Sequence, residues 1–191
     1  MVNIIKITLC SACAALTAVS AQIRIKVAII PYTMQNFAVI LSGFLLGSKF
    51  GCISQILYLT LITFGLPFAS GLKGGVGVLL GPTGGYLISF PIAAALAGYL
   101  RKIVENITNL TKTKKNGLKK FVLMWMSANL SAIPIYVLGS AYLLLYGAKF
   151  DLLLFAVLLF VPQDFFMDHV LAVLSYEYIK DFLNKKGIII D

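Results

Sequence analysis

The chain has 191 residues, of which 60% are hydrophobic and 12% charged, with a formal net charge of +9 and a mean hydropathy of +0.94. Soluble domains carry about 25% charged residues, so these totals exclude an ordinary soluble enzyme or nucleic-acid-binding module and define an integral membrane protein. The apolar runs are longer than the roughly ten residues of a barrel strand and do not alternate, so the spanning elements are expected to be helices within one domain over residues 1–191.

Residues 1–22 open with Lys6 and an apolar stretch and end on Val19-Ser20-Ala21, which imitates a signal peptide with its small-residue cleavage site. They are read as a retained first helix, because roughly nineteen residues suffice to span. Ala14 and Ala18, beside Ser11 and Ala15, also give that helix a small-residue face suited to helix packing. Cys10, Cys13 and Cys52 all lie in apolar runs, where free cysteine behaves as a small hydrophobe, so no disulfide framework is expected.

Arg24 and Lys26 interrupt the run, and Pro31-Tyr32-Thr33-Met34-Gln35 leads into a second helix ending near Gly47. Gly47-Ser48-Lys49 makes a tight connection to a third helix from Phe50 to about Phe64. Each offers only about fifteen apolar residues, some 23 Å against a hydrocarbon core of about 30 Å. The pair is expected to form a short hairpin that leaves space on its far side.

Gly65 to Tyr86 then breaks the helical regularity, with eight glycines and two prolines in twenty-two residues. Irregular backbone beside a bilayer is tolerated only where it is buried in protein or lines a cavity, so this loop is the expected seat of function. A fourth helix is predicted from about Pro82 to Leu100, then a cytoplasmic loop from Arg101 to Lys120 with seven basic residues and one acid. Sequons at Asn106 and Asn109 fall in that loop and carry no weight there. A fifth helix is predicted from about Phe121 to Tyr146 with a kink at Pro134, then a short apolar element from Leu152 to Phe160. Pro162-Gln163-Asp164 is expected to start a last helix that ends near Lys180.

Six spans place both termini on one side. If that side is cytoplasmic, Lys6, Lys49 and the basic residues of 101–120 and 180–186 fall inside, twelve in all, while Arg24, Lys26, Lys73 and Lys149 fall outside. This is the sense of the positive-inside rule, and it accounts for the net charge without an anionic partner such as nucleic acid.

No enzyme constellation or cofactor motif is present: His169 has no second ligand at metal spacing, and the glycine stretch contains no phosphate loop. Asp164 and Asp168, four residues apart on one helix face, are costly at membrane depth unless they face a wet cavity or a partner. Asp164 reads as a helix cap, as a ligand group, or as both. Lys73 reads either as a solvated loop charge or as a ligand contact. Phe68, Tyr86, Tyr32 and Phe37 supply aromatic walls of the kind that line small-molecule sites.

Gly81-Pro82-Thr83-Gly84-Gly85-Tyr86, preceded by Gly65-Leu66-Pro67-Phe68-Ala69, by Gly74-Gly75, and by Pro31-x-Thr33-x-Gln35-x-Phe37, resembles BioY, the biotin-binding S component of energy-coupling-factor transporters. The likeness is dense over residues 24–95 and thinner at Pro162-x-Asp164. It implies a six-helix protein of the cytoplasmic membrane, both termini inside, in which the outer glycine-rich loop caps a biotin pocket. The implied ligand-binding residues are Gln35, Phe68, Lys73, Gly74, Gly75, Thr83, Gly84, Tyr86 and Asp164. The implied partners are membrane lipid, a transmembrane T component reached through Ala14 and Ala18, and two cytoplasmic ATPases, with a homo-oligomer as the alternative assembly. Two departures stand out: Met167 occupies the place where the family tends to carry a lysine, and Ser70 and Lys73 sit where small residues are expected. Lys73 is available to take that lysine's place beside the biotin carboxylate. The ureido ring of biotin offers N–H donors that Asp164 or Gln35 can accept, and Tyr86 or Phe68 can pack its rings.

Overall fold

A computed structural model describes residues 4–27, 30–110 and 117–187. Lys112, Lys114 and Lys115, three of the basic residues placed inside by charge, lie outside the described residues. In chain order the elements are α1 (Ile4–Ser20), β1 (Arg24–Val27), β2 (Ile30–Thr33), α2 (Gln35–Thr63), α3 (Val76–Leu80), α4 (Gly84–Leu110), α5 (Gly117–Leu145), α6 (Phe150–Gln163), a π-helical turn (Asp164–Asp168) and α7 (His169–Lys185). Among the described residues the architecture is all-α apart from the two-stranded antiparallel ribbon, whose register pairs Arg24 with Thr33 and Val27 with Ile30. By length and apolar composition, Gln35–Thr63, Gly84–Thr108 and Gly117–Leu145 can each cross a membrane. Outward-facing apolar side chains such as Ile88, Ile92, Ile133 and Val137 are exposed, as lipid contact requires.

The first of these helices does not run straight. Gly47 has φ 74° and ψ 179°, a conformation open to glycine and strained for other residues. The consequence is visible in side-chain bonds between its two arms, 35–46 and 48–63. Gln35 Nε2 donates to the Tyr58 hydroxyl at 2.7 Å, and Gln55 Nε2 donates to Ser42 Oγ at 3.0 Å. In a straight helix, residues 35 and 58 would stand about 34 Å apart. The chain therefore doubles back at Gly47, and Thr17 of α1 joins the polar ladder, since Gln55 Nε2 also donates to Thr17 Oγ1 at 3.2 Å.

Helix α4 crosses this hairpin at its turn. A Cβ on Gly98 would lie 2.3 Å from Gly47 C and from Ser48 N, so only glycine lets the two backbones meet. Small residues serve this purpose in membranes, where apolar burial does not drive helices together and close van der Waals contact must. Two buried clusters result. One joins Ile40, Phe44, Met124, Ala128 and Tyr176, and the other joins Val39, Tyr58, Ile62, Phe90, Ala94 and Ile135.

Two expectations need correction. Helix α4 runs to Leu110 rather than Leu100, through the first half of the expected polar loop. The reason is a set of polar bonds: Arg101 pairs with Glu105 at 3.4 Å, the Tyr176 hydroxyl donates to Glu105 at 2.5 Å, and Lys180 pairs with Glu105 as well. Pro162 does not start a helix; α6 begins at Phe150 and continues through Pro162 into the π turn. The ribbon of β1 and β2, and α3 within the glycine stretch, were not expected at all.

The two ends of the bundle differ. One end gathers Arg101, Glu105, Tyr176 and Lys180, together with the Lys120–Glu177 pair at 2.7 Å. The other end gathers the ribbon and the glycine stretch, where the Tyr142 hydroxyl of α5 donates to Leu79 O of α3 at 3.5 Å.

Candidate functional site

A cavity of about 480 Å³ opens at the ribbon end, within the range typical of small-molecule sites. Phe90, Leu87, Ile135 and Phe160 make its apolar wall, while Tyr32, Asn36, Tyr136 and Asp164 supply a polar side. Gln35, Lys73, Gly74, Thr83, Tyr86 and Asp164, expected from sequence, all line it. Phe68, Gly75 and Gly84 are not among the lining residues. Phe68 packs behind the wall in the second cluster, and its carbonyl accepts from the Tyr58 hydroxyl at 3.2 Å. The Gly75 N–H donates to Ile62 O at 2.7 Å and ties the loop to α2. Gly84 lies against the end of α3, where a Cβ would meet Leu79 O at 1.8 Å.

The two acids that look alike in sequence are separated by their hydrogen bonds. Asp168 is fully buried; its Oδ1 accepts from the Tyr32 hydroxyl at 2.7 Å and its Oδ2 from the Phe37 N–H at 3.3 Å. Asp164, 2% exposed, accepts at Oδ2 from Asn36 Nδ2 at 2.6 Å and from the Tyr136 hydroxyl. Its Oδ1 is buried and has no hydrogen-bond partner among the described residues. A buried polar atom left unpaired costs about 1–3 kcal/mol, and this one belongs to a residue on the cavity wall. Asp168 thus holds the ribbon to the bundle, and Asp164 keeps an acceptor in reserve.

The π turn is what brings both acids inward. Within it the His169 N–H reaches back to Asp164 O, five residues away, so the Phe165 carbonyl loses the partner a regular helix would give it. The Trp125 indole N–H replaces that partner at 2.8 Å. Trp125→Phe is therefore expected to lower thermal stability by roughly 1–3 kcal/mol and to weaken ligand binding through Asp164. Thermal unfolding monitored in detergent checks the first effect, and an unchanged midpoint would show that the indole bond does not hold the turn.

Gln35 is less available than its position suggests. Its amide donates to Tyr58 and its Oε1 accepts from Thr33 Oγ1 at 2.9 Å, which links β2 to the hairpin. Tyr86 lies flat on Gly139 of α5, where a Cβ would stand 2.2 Å from its ring. Lys73 is exposed at the rim and is the only cationic side chain among the lining residues. His169 lies outside the cavity, 1% exposed, with Nδ1 2.8 Å from Asn129 Oδ1. Ala14 and Ala18 are buried within this chain's own second cluster at 3% and 8% exposure. Ser11, Ala12 and Ala15 are small residues that α1 leaves exposed.

Asn36, Tyr136 and Phe160 were missed from sequence. Tyr136 and Phe160 arrive from α5 and α6, far from the glycine stretch along the chain, and carry no local motif. For Asn36 the signal was its place directly after Gln35 at the start of α2.

Together these features define a class, a helical membrane protein with a small-molecule cavity at one end and a half-bonded carboxylate in its wall. The chain belongs to the BioY family, whose sequence model matches residues 1–185. It is 47% identical over 96 residues to a probable biotin transporter BioY of Pyrococcus horikoshii, covering 50% of this chain and 59% of that one. The matched stretch thus spans less than two thirds of that relative. A probable biotin transporter BioY of Lysinibacillus sphaericus is 33% identical over 177 residues, 92% of this chain and 87% of the other. The fold is similar to a 2.1 Å crystal structure of the S-component for biotin from an ECF-type ABC transporter, with a TM-score of 0.77, 26% identity and 95% of each chain covered.

Proposed function

We propose that this chain binds biotin with high affinity at the outer face of the cytoplasmic membrane and acts as the substrate-specific S component of an energy-coupling-factor importer. The observation that carries the reading is the buried, unpaired Oδ1 of Asp164, an acceptor matched to a ureido N–H, beside apolar walls matched to the ring system and chain of biotin. Family membership and the related biotin transporters support the same ligand.

Six crossings follow if α1, each arm of α2, α4, α5 and the continuous α6–α7 rod traverse the bilayer. Both termini are then cytoplasmic. The gathering of Arg101, Lys120 and Lys180 at the end opposite the cavity supports that orientation. A transmembrane T component and two ATPases are the expected partners. The exposed Ser11, Ala12 and Ala15 of α1 offer the close-packing surface that the buried Ala14 and Ala18 do not.

Saturable equilibrium binding of labelled biotin to the purified chain tests the reading, and competition by a different vitamin at equal concentration would reassign the ligand. Lys73 pairs the biotin carboxylate at the rim. Because Lys73 is exposed, the pair is worth about 1 kcal/mol at most, so Lys73→Ala is expected to weaken biotin up to about fivefold and a biotin ester hardly at all. Equal losses for acid and ester would remove Lys73 from that role.

A further inference from the structure

Residues 69–73 form a tight turn at the cavity mouth. Ala69 N–H donates to Lys73 O at 2.9 Å and Lys73 N–H to Ala69 O at 3.3 Å. The turn contains Leu72 at φ 55°, a left-handed conformation that is unfavourable for a residue with a branched side chain and persists only where surroundings enforce it. The Leu72 side chain is 69% exposed and cannot enforce it by packing.

One amide from outside the turn does. Gln22, just past the end of α1, accepts the Leu72 N–H on Oε1 at 3.1 Å. Its Nε2 donates to Ala69 O at 3.1 Å and to Ala18 O at 3.2 Å. A single side chain thus grips both ends of the turn and ties them to the last turn of α1. The Arg24 guanidinium closes the third side, lying where a Cβ on Gly71 would stand 2.4 Å from Nη1.

What the turn carries gives this clamp a purpose. Ser70 and Lys73 both line the cavity. Ser70 Oγ is buried and, like Asp164 Oδ1, has no hydrogen-bond partner among the described residues. Two unpaired polar atoms therefore belong to residues lining the same cavity, one on the π turn and one on the clamped turn.

We propose that Ser70 is a ligand-contacting residue and that Gln22 is the positioning residue that sets it, by holding the 69–73 turn against α1. The inference rests on the biotin reading for the identity of the ligand, but the clamp itself does not. Ser70 and Lys73 together address one end of the ligand while Asp164 addresses the other.

The experiment has two arms on the full chain in detergent. In the first, hydrogen exchange of the 69–73 segment is followed without ligand; Gln22→Ala is expected to expose the Leu72 amide and raise its exchange at least tenfold, and unchanged exchange overturns the clamp. In the second, dissociation of labelled biotin is measured for Gln22→Ala, Ser70→Ala and the double variant. Gln22→Ala and Ser70→Ala are each expected to accelerate release about fivefold, with little further gain in the double variant, because each removes the same contact. Multiplicative effects, or release at the wild-type rate, would show that Gln22 does not act through Ser70. Gln22→Glu keeps the acceptor for Leu72 and loses the donor to Ala69; intermediate exchange and release are expected for it, and it serves where Gln22→Ala does not fold. Absence of saturable binding by the wild-type chain would sink the biotin reading and leave the exchange result to decide the clamp.

Discussion

Asp164→Asn is expected to weaken biotin binding at least tenfold, about 1.4 kcal/mol, in equilibrium titrations of the purified chain. The reason is an inversion of hydrogen-bond sense. Oδ2 sits between two donors, Asn36 Nδ2 and the Tyr136 hydroxyl, so an asparagine must keep its oxygen there. Its NH2 then replaces Oδ1 and presents a donor to the donors of the ureido ring. The lost bond is charge-assisted, a class worth roughly 1.5–3 kcal/mol. Asp168→Asn makes the contrast, because its oxygens accept from Tyr32 and the Phe37 N–H; that change is expected to loosen the ribbon and lower thermal stability. If Asp164→Asn bound biotin with near-unchanged affinity, Asp164 would not belong to the site.

Gly98→Ala is expected to cost about 2 kcal/mol, a typical penalty for overpacking a close contact, and to lower the thermal midpoint by about 4–8 °C for a chain of this size. The added methyl would meet Gly47 C and Ser48 N, backbone atoms of the turn that cannot rotate away. Gly117→Ala at the start of α5 is the control, since nothing lies within 4 Å of a Cβ there. Equal midpoint losses for the two variants would show that the crossing at Gly98 carries no special constraint.

These two sites also show where the sequence was readable. The turn at Gly47-Ser48-Lys49 announced itself as polar punctuation between two apolar runs too short to span comfortably. The glycine stretch did so because nothing else in the chain breaks helical regularity so thoroughly. By contrast, Arg101 and Glu105 read as loop charges because their partners, Tyr176 and Lys180, lie more than seventy residues away. Pro162 read as a helix start because proline suits a first turn and is disfavoured in a helix interior, where it lacks an N–H and crowds the carbonyl four residues back, yet α6 carries it in its last turn. The division between Asp164 and Asp168 was illegible for the same reason: it depends on Tyr32, Asn36, Phe37 and Tyr136, and residue types alone do not say which hydroxyl faces which oxygen.

The polar ladder in α2 sets a gauge for the hairpin. Gln35 meets Tyr58, Ser42 meets Gln55, and Thr17 reaches Gln55 from the first helix. A single inserted residue in the 35–46 arm would turn everything on one side of it by about 100° and slide it 1.5 Å, roughly the helical step. Gln35 would leave Tyr58, and β2 would lose its tie to the bundle through Thr33. The length of this stretch is therefore fixed, and insertions or deletions among homologous chains are expected to collect elsewhere.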